Sequence, residues 1–276
     1  MKKLFYDQFI PLTLTVLTFL GISLLLFFYI NILNLVGARE KILTQIKIVD
    51  VTIGLTIYLK TSIDFAIFIG NLMKSNPGWK KRVSIEIGTA VGNAIGILLI
   101  LTLWNFFREI PLLMLIMIIL ASLVLLLMAE ESVDDFLAQE KYKKLHRGAR
   151  LLQKELNFIN KFFKPFLGKI LPNLKITNIK TLSFFNLLFF SLTIPFILGL
   201  DDFAGYIPLF SIVNVFGFAI GVFLGHMILN LGLFLSPSRT ITIVRSPLVL
   251  VVGASAFTAI ALWGFYEAIR IIPSIF

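Results

Sequence analysis

The stretches that decide the fold are Asp64-Phe65-Ala66-Ile67-Phe68-Ile69 and Asp202-Phe203-Ala204-Gly205-Tyr206-Ile207. Each sets a carboxylate beside an aromatic in strongly apolar surroundings. A second echo follows each of them, Gly92-Asn93-Ala94-Ile95-Gly96 after the first and Gly217-Phe218-Ala219-Ile220-Gly221 after the second. A repeated acid inside repeated hydrophobic segments indicates a membrane protein with internal symmetry and a polar site between its halves.

Composition supports that class. Of 276 residues, 58% are hydrophobic and 14% charged, too oily for a soluble domain. The 28 phenylalanines suit lipid-facing and interhelical packing. Cysteine is absent, which excludes disulfides, thiol chemistry and cysteine metal sites. The net charge of +10 reads as basic cytoplasmic loops beside anionic lipid rather than as a nucleic-acid surface. No cofactor is expected, and no Gly-x-x-x-x-Gly-Lys-Ser/Thr loop occurs to bind a nucleotide.

Apolar runs place about seven spans, each near or above the ~18 residues a crossing helix needs. They are Phe9–Val36, Val49–Met73, Val83–Phe107, Ile110–Met128, Thr181–Phe210, Ser211–Leu235 and Pro247–Ile272. The fifth and sixth admit another division, in which Asp201-Asp202 ends a span in an outer loop. The first run far exceeds the ~7–15 residues of a signal h-region, so it is expected to remain as a helix.

Charge orients the spans. One side collects Lys2 and Lys3, then Lys74, Lys80, Lys81 and Arg82, a basic insert, and Arg239 with Arg245. The other holds Arg39, Lys41, Lys47, Arg108 and Arg270. The positive-inside rule puts the N-terminus in the cytoplasm and the C-terminus outside.

Residues 1–48 then form an N-terminal helix and outer loop, and 49–129 a first three-helix unit. Residues 130–180 form a basic cytoplasmic linker, and 181–276 a second three-helix unit. In the linker, Ser132 with Asp135 three residues on predicts a helix N-cap. Residues 151–171 alternate apolar side chains with lysines, a pattern that lies among anionic lipid headgroups or packs as a connector against the bundle, with Pro165 bending it. Because three is odd, the second unit crosses in the opposite sense, giving an N-terminal helix plus a 3+3 inverted repeat. Chance similarity in an oily chain is the competing reading.

A charge at bilayer depth costs ~2.5–3.5 kcal/mol on insertion scales, so Asp64 is expected to be paired or to face a path. Lys60, one turn earlier, would pair with it on the same helix face. Adjacent helical residues point about 100° apart, so only one of Asp201 and Asp202 can face the same site, and the repeat nominates Asp202. Asp64 and Asp202 are therefore the expected cation ligands, with Lys60, Asn93, Asp201 and Asn214 along the pathway. Glu86 and Glu267 read as acids near span ends, and Asn186 as a further polar group between helices. His226 reads as a satisfied core histidine. Glycines every four residues, at Gly88-Gly92-Gly96 and Gly217-Gly221-Gly225, permit close helix approach. Pro195 and Pro208 flank the second acid and would open backbone carbonyls.

Paired three-helix halves with an acid in the first helix of each resemble the LysE-type transporter superfamily, including its cadmium-resistance, TerC-like and manganese-export branches. The resemblance covers about residues 49–128 and 181–272. It implies export of a divalent cation or a small amino acid across a bacterial-type cytoplasmic membrane, with Asp64 and Asp202 as the paired acids. Where metal-handling branches often place Asn after the acid, this chain has Phe65 and Phe203. Oxygen ligands suit a hard ion such as Mn²⁺, Mg²⁺ or Ca²⁺. A homodimer is among the assemblies this reading allows. Other classes stay open: an intramembrane aspartyl-type or lipid-modifying enzyme built on two aspartates, and a non-catalytic scaffold whose insert recruits a partner.

Overall fold

A backbone in hydrocarbon must satisfy its own hydrogen bonds, and apolar runs of this length do so as helices. The computed structural model describes residues 9–36, 41–138, 148–157, 160–161, 182–199, 206–211 and 213–274. It contains α1 (Ile10–Leu35), α2 (Ile48–Thr61), α3 (Ile63–Ser75), α4 (Trp79–Phe107), α5 (Pro111–Leu137), α6 (Phe184–Leu198), α7 (Val215–Leu235), α8 (Pro237–Val244) and α9 (Pro247–Ile271). No strand occurs among the described residues. Helices α1, α4, α5, α7 and α9 are each long and apolar enough to cross a membrane, and α2 with α3, bent by 63° at the break between them, is together long and apolar enough for a broken span or a re-entrant loop. The chain is an all-α polytopic integral membrane protein.

Helix ends follow local chemistry. Pro11, Pro111, Pro237 and Pro247 sit in first turns, where a missing N–H costs nothing. Gly78, at φ 108°, turns the chain from α3 into α4 through a conformation that side chains disfavour. Asn214 caps α7, its Oδ1 accepting from the Gly217 amide at 3.1 Å.

Three expectations change. The second span is interrupted at Ser62. The fifth does not run from Thr181 to Phe210 as one helix: α6 stops at Leu198 and Pro208–Ser211 forms a 3-10 turn. At 1.5 Å per residue α6 is about 22 Å long, short of the ~30 Å hydrocarbon core. The third change concerns Ser132, which caps nothing. Helix α5 continues unbroken to Leu137, and Ser132 Oγ donates to Met128 O at 2.6 Å inside it. A mid-helix serine bonds back in this way when no glycine or proline ends the helix. Residues 148–157 are helical, and Asn160 fastens the segment to α5 by donating to Glu130 Oε2 at 2.6 Å and Leu126 O at 3.1 Å. The remainder of the basic stretch, with Pro165, lies outside the described residues.

The most extensive interfaces are α5 with α9, α4 with α6, and α7 with α2. Exchanging α2 with α6, α4 with α7 and α5 with α9 maps the second pair onto the third and the first onto itself. Glycines make these contacts possible. A Cβ at Gly88 would lie 2.5 Å from Leu188 O and 3.2 Å from Leu192 N; one at Gly221 would lie 2.1 Å from Val51 O and 2.9 Å from Leu55 N. Likewise Gly92 meets Pro195 and Gly225 meets Tyr58. The matching pairs are therefore Gly88 with Gly221 and Gly92 with Gly225. The Gly-x-Ala-Ile-Gly echo would instead align Gly92 with Gly217, about two helical turns away. In the first helices Val51 matches Leu188, Tyr58 matches Pro195, and the break at Ser62 matches the helix end at Gly199, all at one sequence separation.

Helix α1 stands outside this exchange and packs on α7 and α4. A hydrogen bond between the Tyr29 and Thr102 hydroxyls ties it to α4.

Candidate functional site

The break between α2 and α3 meets the C-terminal end of α6. Ser62 and Gly199 line one small cavity of about 10 Å³ together with Tyr58, Phe65, Asn93, Pro195 and Tyr206. That volume suits about one water-sized occupant. Its wall is organised by a buried polar chain. His226 Nδ1 lies 2.5 Å from the Tyr58 hydroxyl, and Nε2 lies 3.0 Å from Asn230 Nδ2. The same Asn230 amide donates to Thr89 Oγ1 at 3.0 Å, and Thr89 donates to Ile85 O at 2.9 Å. Since an amide nitrogen only donates, His226 Nε2 accepts, and the neutral ring carries its hydrogen on Nδ1, pointing at Tyr58. Both ring nitrogens are thus engaged by protein. Aromatic faces hold the ring, with Tyr58 at 5.5 Å and Phe65 at 5.3 Å between centroids.

Asn93 is 2% exposed, and its Nδ2 has no hydrogen-bond partner among the described residues; the same holds for Asn230 Oδ1 and Ser191 Oγ. Of these only Asn93 lines the cavity, and a buried polar atom without a partner is costly unless something else satisfies it. Helix ends add electrostatics. Helices α2 and α6 both bring their C-termini, with partial negative charge, to the cavity. At Ser62 the N-terminus of α3 offsets much of this. At Gly199 no helix N-terminus among the described residues does so.

The sequence-expected site residues separate. Asn93 is at the centre. Lys60 is 6% exposed: its stem lies over Gly253, where a Cβ would fall 1.9 Å from Lys60 Cδ, and its ammonium is 6.0 Å from the Phe257 ring centroid. Asp64 is exposed, in the first turn of α3, where a helix N-terminus favours an acid. The break at Ser62 puts Lys60 and Asp64 on helices of different direction, so the one-turn stacking expected of them does not apply. Instead Lys60, Asp64 and Arg245 all act electrostatically on Asp135, at the end of α5. Asn214 is a structural cap, and its Nδ2 also donates to Leu43 O at 3.0 Å. Asp201 and Asp202 lie outside the described residues.

Glu267 makes a surface pair with Arg270 at 3.4 Å. Asn186 is exposed, not interhelical. Glu86, expected near a span end, is fully buried. Among the described residues no group of three or more His, Asp or Glu side chains converges as a metal site. Sequence reading passed over Tyr58, Ser62, Thr89 and Asn230. The one available signal was the His226–Asn230 spacing of four, which sets two polar side chains on one face of an otherwise apolar helix.

Fold and site together define an integral membrane protein with a polar centre between the break after α2 and the C-terminal end of α6. No family model, curated protein or solved structure matches the chain.

Proposed function

We propose that the chain is a secondary transporter that moves a small cation by alternating access between two inverted halves, as the LysE-type resemblance implies. One observation carries this reading: the break at Ser62 and the end of α6 at Gly199 meet at a single cavity. Interrupted helices at a repeat interface are how transporters build sites, with C-terminal helix ends and unwound carbonyls turned towards cations. The cavity admits an ion more readily than an amino acid, and Tyr58, Ser62 and Asn93 offer oxygens that suit a hard divalent ion. In this reading Asp64 and Asp135 attract the ion at the inner mouth, with the N-terminus cytoplasmic.

The test is flux into proteoliposomes of the full chain, offered Mn²⁺, Mg²⁺ and Ca²⁺ in turn. At least one ion is expected to move. Asn93→Leu, which fills the cavity with a side chain that cannot coordinate, is expected to reduce movement to the level of empty vesicles while the protein stays folded. Absence of flux for the whole panel, or undiminished flux in the variant, would refute the reading.

A further inference from the structure

Glu86 stands on α4 one turn beyond Arg82, whose Nη1 donates to Phe234 O at 2.6 Å. Its side chain is 0% exposed. Oε1 accepts from Thr15 Oγ1 of α1 at 2.8 Å. Oε2 is buried with no hydrogen-bond partner among the described residues. A carboxylate in a span that meets one hydroxyl and no counter-charge among the described residues is a candidate functional residue by default.

The packed elements supply little to neutralise it. Those on α4 are α1, α6, α7, α3 and α5. In α1 the titratable side chain is Tyr29, held by Thr102; α6 has none; α7 has His226, already bonded twice. Helix α3 carries Asp64 and Lys74, both exposed, and α5 has Glu130, Glu131, Asp134 and Asp135 in its last turns. On α4 itself Lys80, Lys81 and Arg82 lie towards its start. A proton on Oε2 would remove the uncompensated charge without moving any of these groups.

We propose, resting on the transporter reading, that Glu86 takes up and releases the proton that is coupled to cation movement, with Thr15 as its positioning residue. The step is an acid–base one: Oε2 gains a proton from water in one arrangement and returns it to water in another, one proton per turn. A route for coupling is present. Thr89, one turn along, donates to Glu86 O at 3.1 Å and receives Asn230, which continues through His226 to Tyr58 at the cavity. Rearrangement of the cavity wall therefore reaches the turn that carries Glu86.

Two measurements on the full chain test this. In pH-difference infrared spectra of detergent-purified protein, a carboxylic C=O stretch is expected that disappears in Glu86→Gln and persists in Glu267→Gln. Thr15→Val should shift that band, and Thr15→Ser should restore it. In proteoliposomes with a pH dye inside, Mn²⁺, Mg²⁺ or Ca²⁺ movement should bring a proton signal that Glu86→Gln abolishes and Glu86→Asp retains. A spectrum without a Glu86-dependent band, or proton movement that survives Glu86→Gln, would overturn the proposal. Cation flux in the wild type with no proton signal would overturn it too, leaving the transporter reading intact. If no ion moves, the transporter reading and the coupling role fail together, and the infrared band reports only whether Glu86 titrates.

Discussion

Gly221→Val is expected to lose most of its folded, monodisperse protein. A Cβ at Gly221 would fall 2.1 Å from Val51 O, 2.8 Å from Val51 C and 2.9 Å from Leu55 N. All three are backbone atoms of α2, so no side chain can swing away to make room. Overpacking in a core costs about 1–3 kcal/mol when neighbours adjust. Here the helices themselves must part, and the α2–α7 interface goes with them, so the cost belongs at or beyond the top of that range. Against a total stability of about 5–15 kcal/mol that is a large share. Gly54→Val should behave alike, because its Cβ would meet Phe218 O at 2.1 Å from the other side of the same crossing. Gly21→Ala is the control: nothing lies within 4 Å of its Cβ, and no effect is expected. Size-exclusion profiles and melting curves in detergent decide it. A Gly221→Val protein that melts with the wild type would show that α2 and α7 do not cross at this distance.

The second large effect is expected at His226. His226→Leu removes the ring that joins Tyr58 on α2 to Asn230 on α7, leaving two buried polar groups without that partner. Each such loss costs about 1–3 kcal/mol, so the variant should be destabilised by about 2–6 kcal/mol. Tyr58→Phe removes the hydrogen bond to His226 and should cost about 1–3 kcal/mol. Combined, the two substitutions should cost less than the sum of the singles, because residues in one network are not additive. Strict additivity in melting experiments would mean that the Tyr58–His226 contact contributes nothing. If the transporter reading proposed above holds, the variant should also lower cation flux into proteoliposomes, since the ring orients the hydroxyl that lines the cavity.

Particular residues show how much of this was legible beforehand. The four-residue glycine spacing announced close helix approach, and it occurs: Gly88 and Gly92 press on α6, Gly221 and Gly225 on α2. Which glycines correspond was misread. The Gly-x-Ala-Ile-Gly echo compares letters, whereas the structural register compares which backbone atoms each glycine touches. Asn93 was singled out as polar inside a span and stands at the centre. Asp64 was singled out for the same reason and is exposed, in the first turn of α3 just beyond the 63° bend. Nothing in Lys60-Thr61-Ser62-Ile63-Asp64 marks a break: it holds neither proline nor glycine. Ser132 misled in the opposite direction, since a good cap residue does not cap a helix that has no cause to start there.

Taken alone, the amino-acid order determined the solvent this protein lives in and the helical state of its apolar runs. Both are sums along the chain: transfer energy over some twenty residues decides insertion, and a backbone in hydrocarbon bonds to itself. Tertiary structure alone decided where α2 breaks, that the end of α6 faces that break, and that His226 and Asn230 join Thr89 and Tyr58 into one buried chain. Those outcomes depend on helices that are distant in sequence and touch in space. Whether a backbone bond can be surrendered, or a polar side chain buried, is settled by what the neighbouring helix presents at that point.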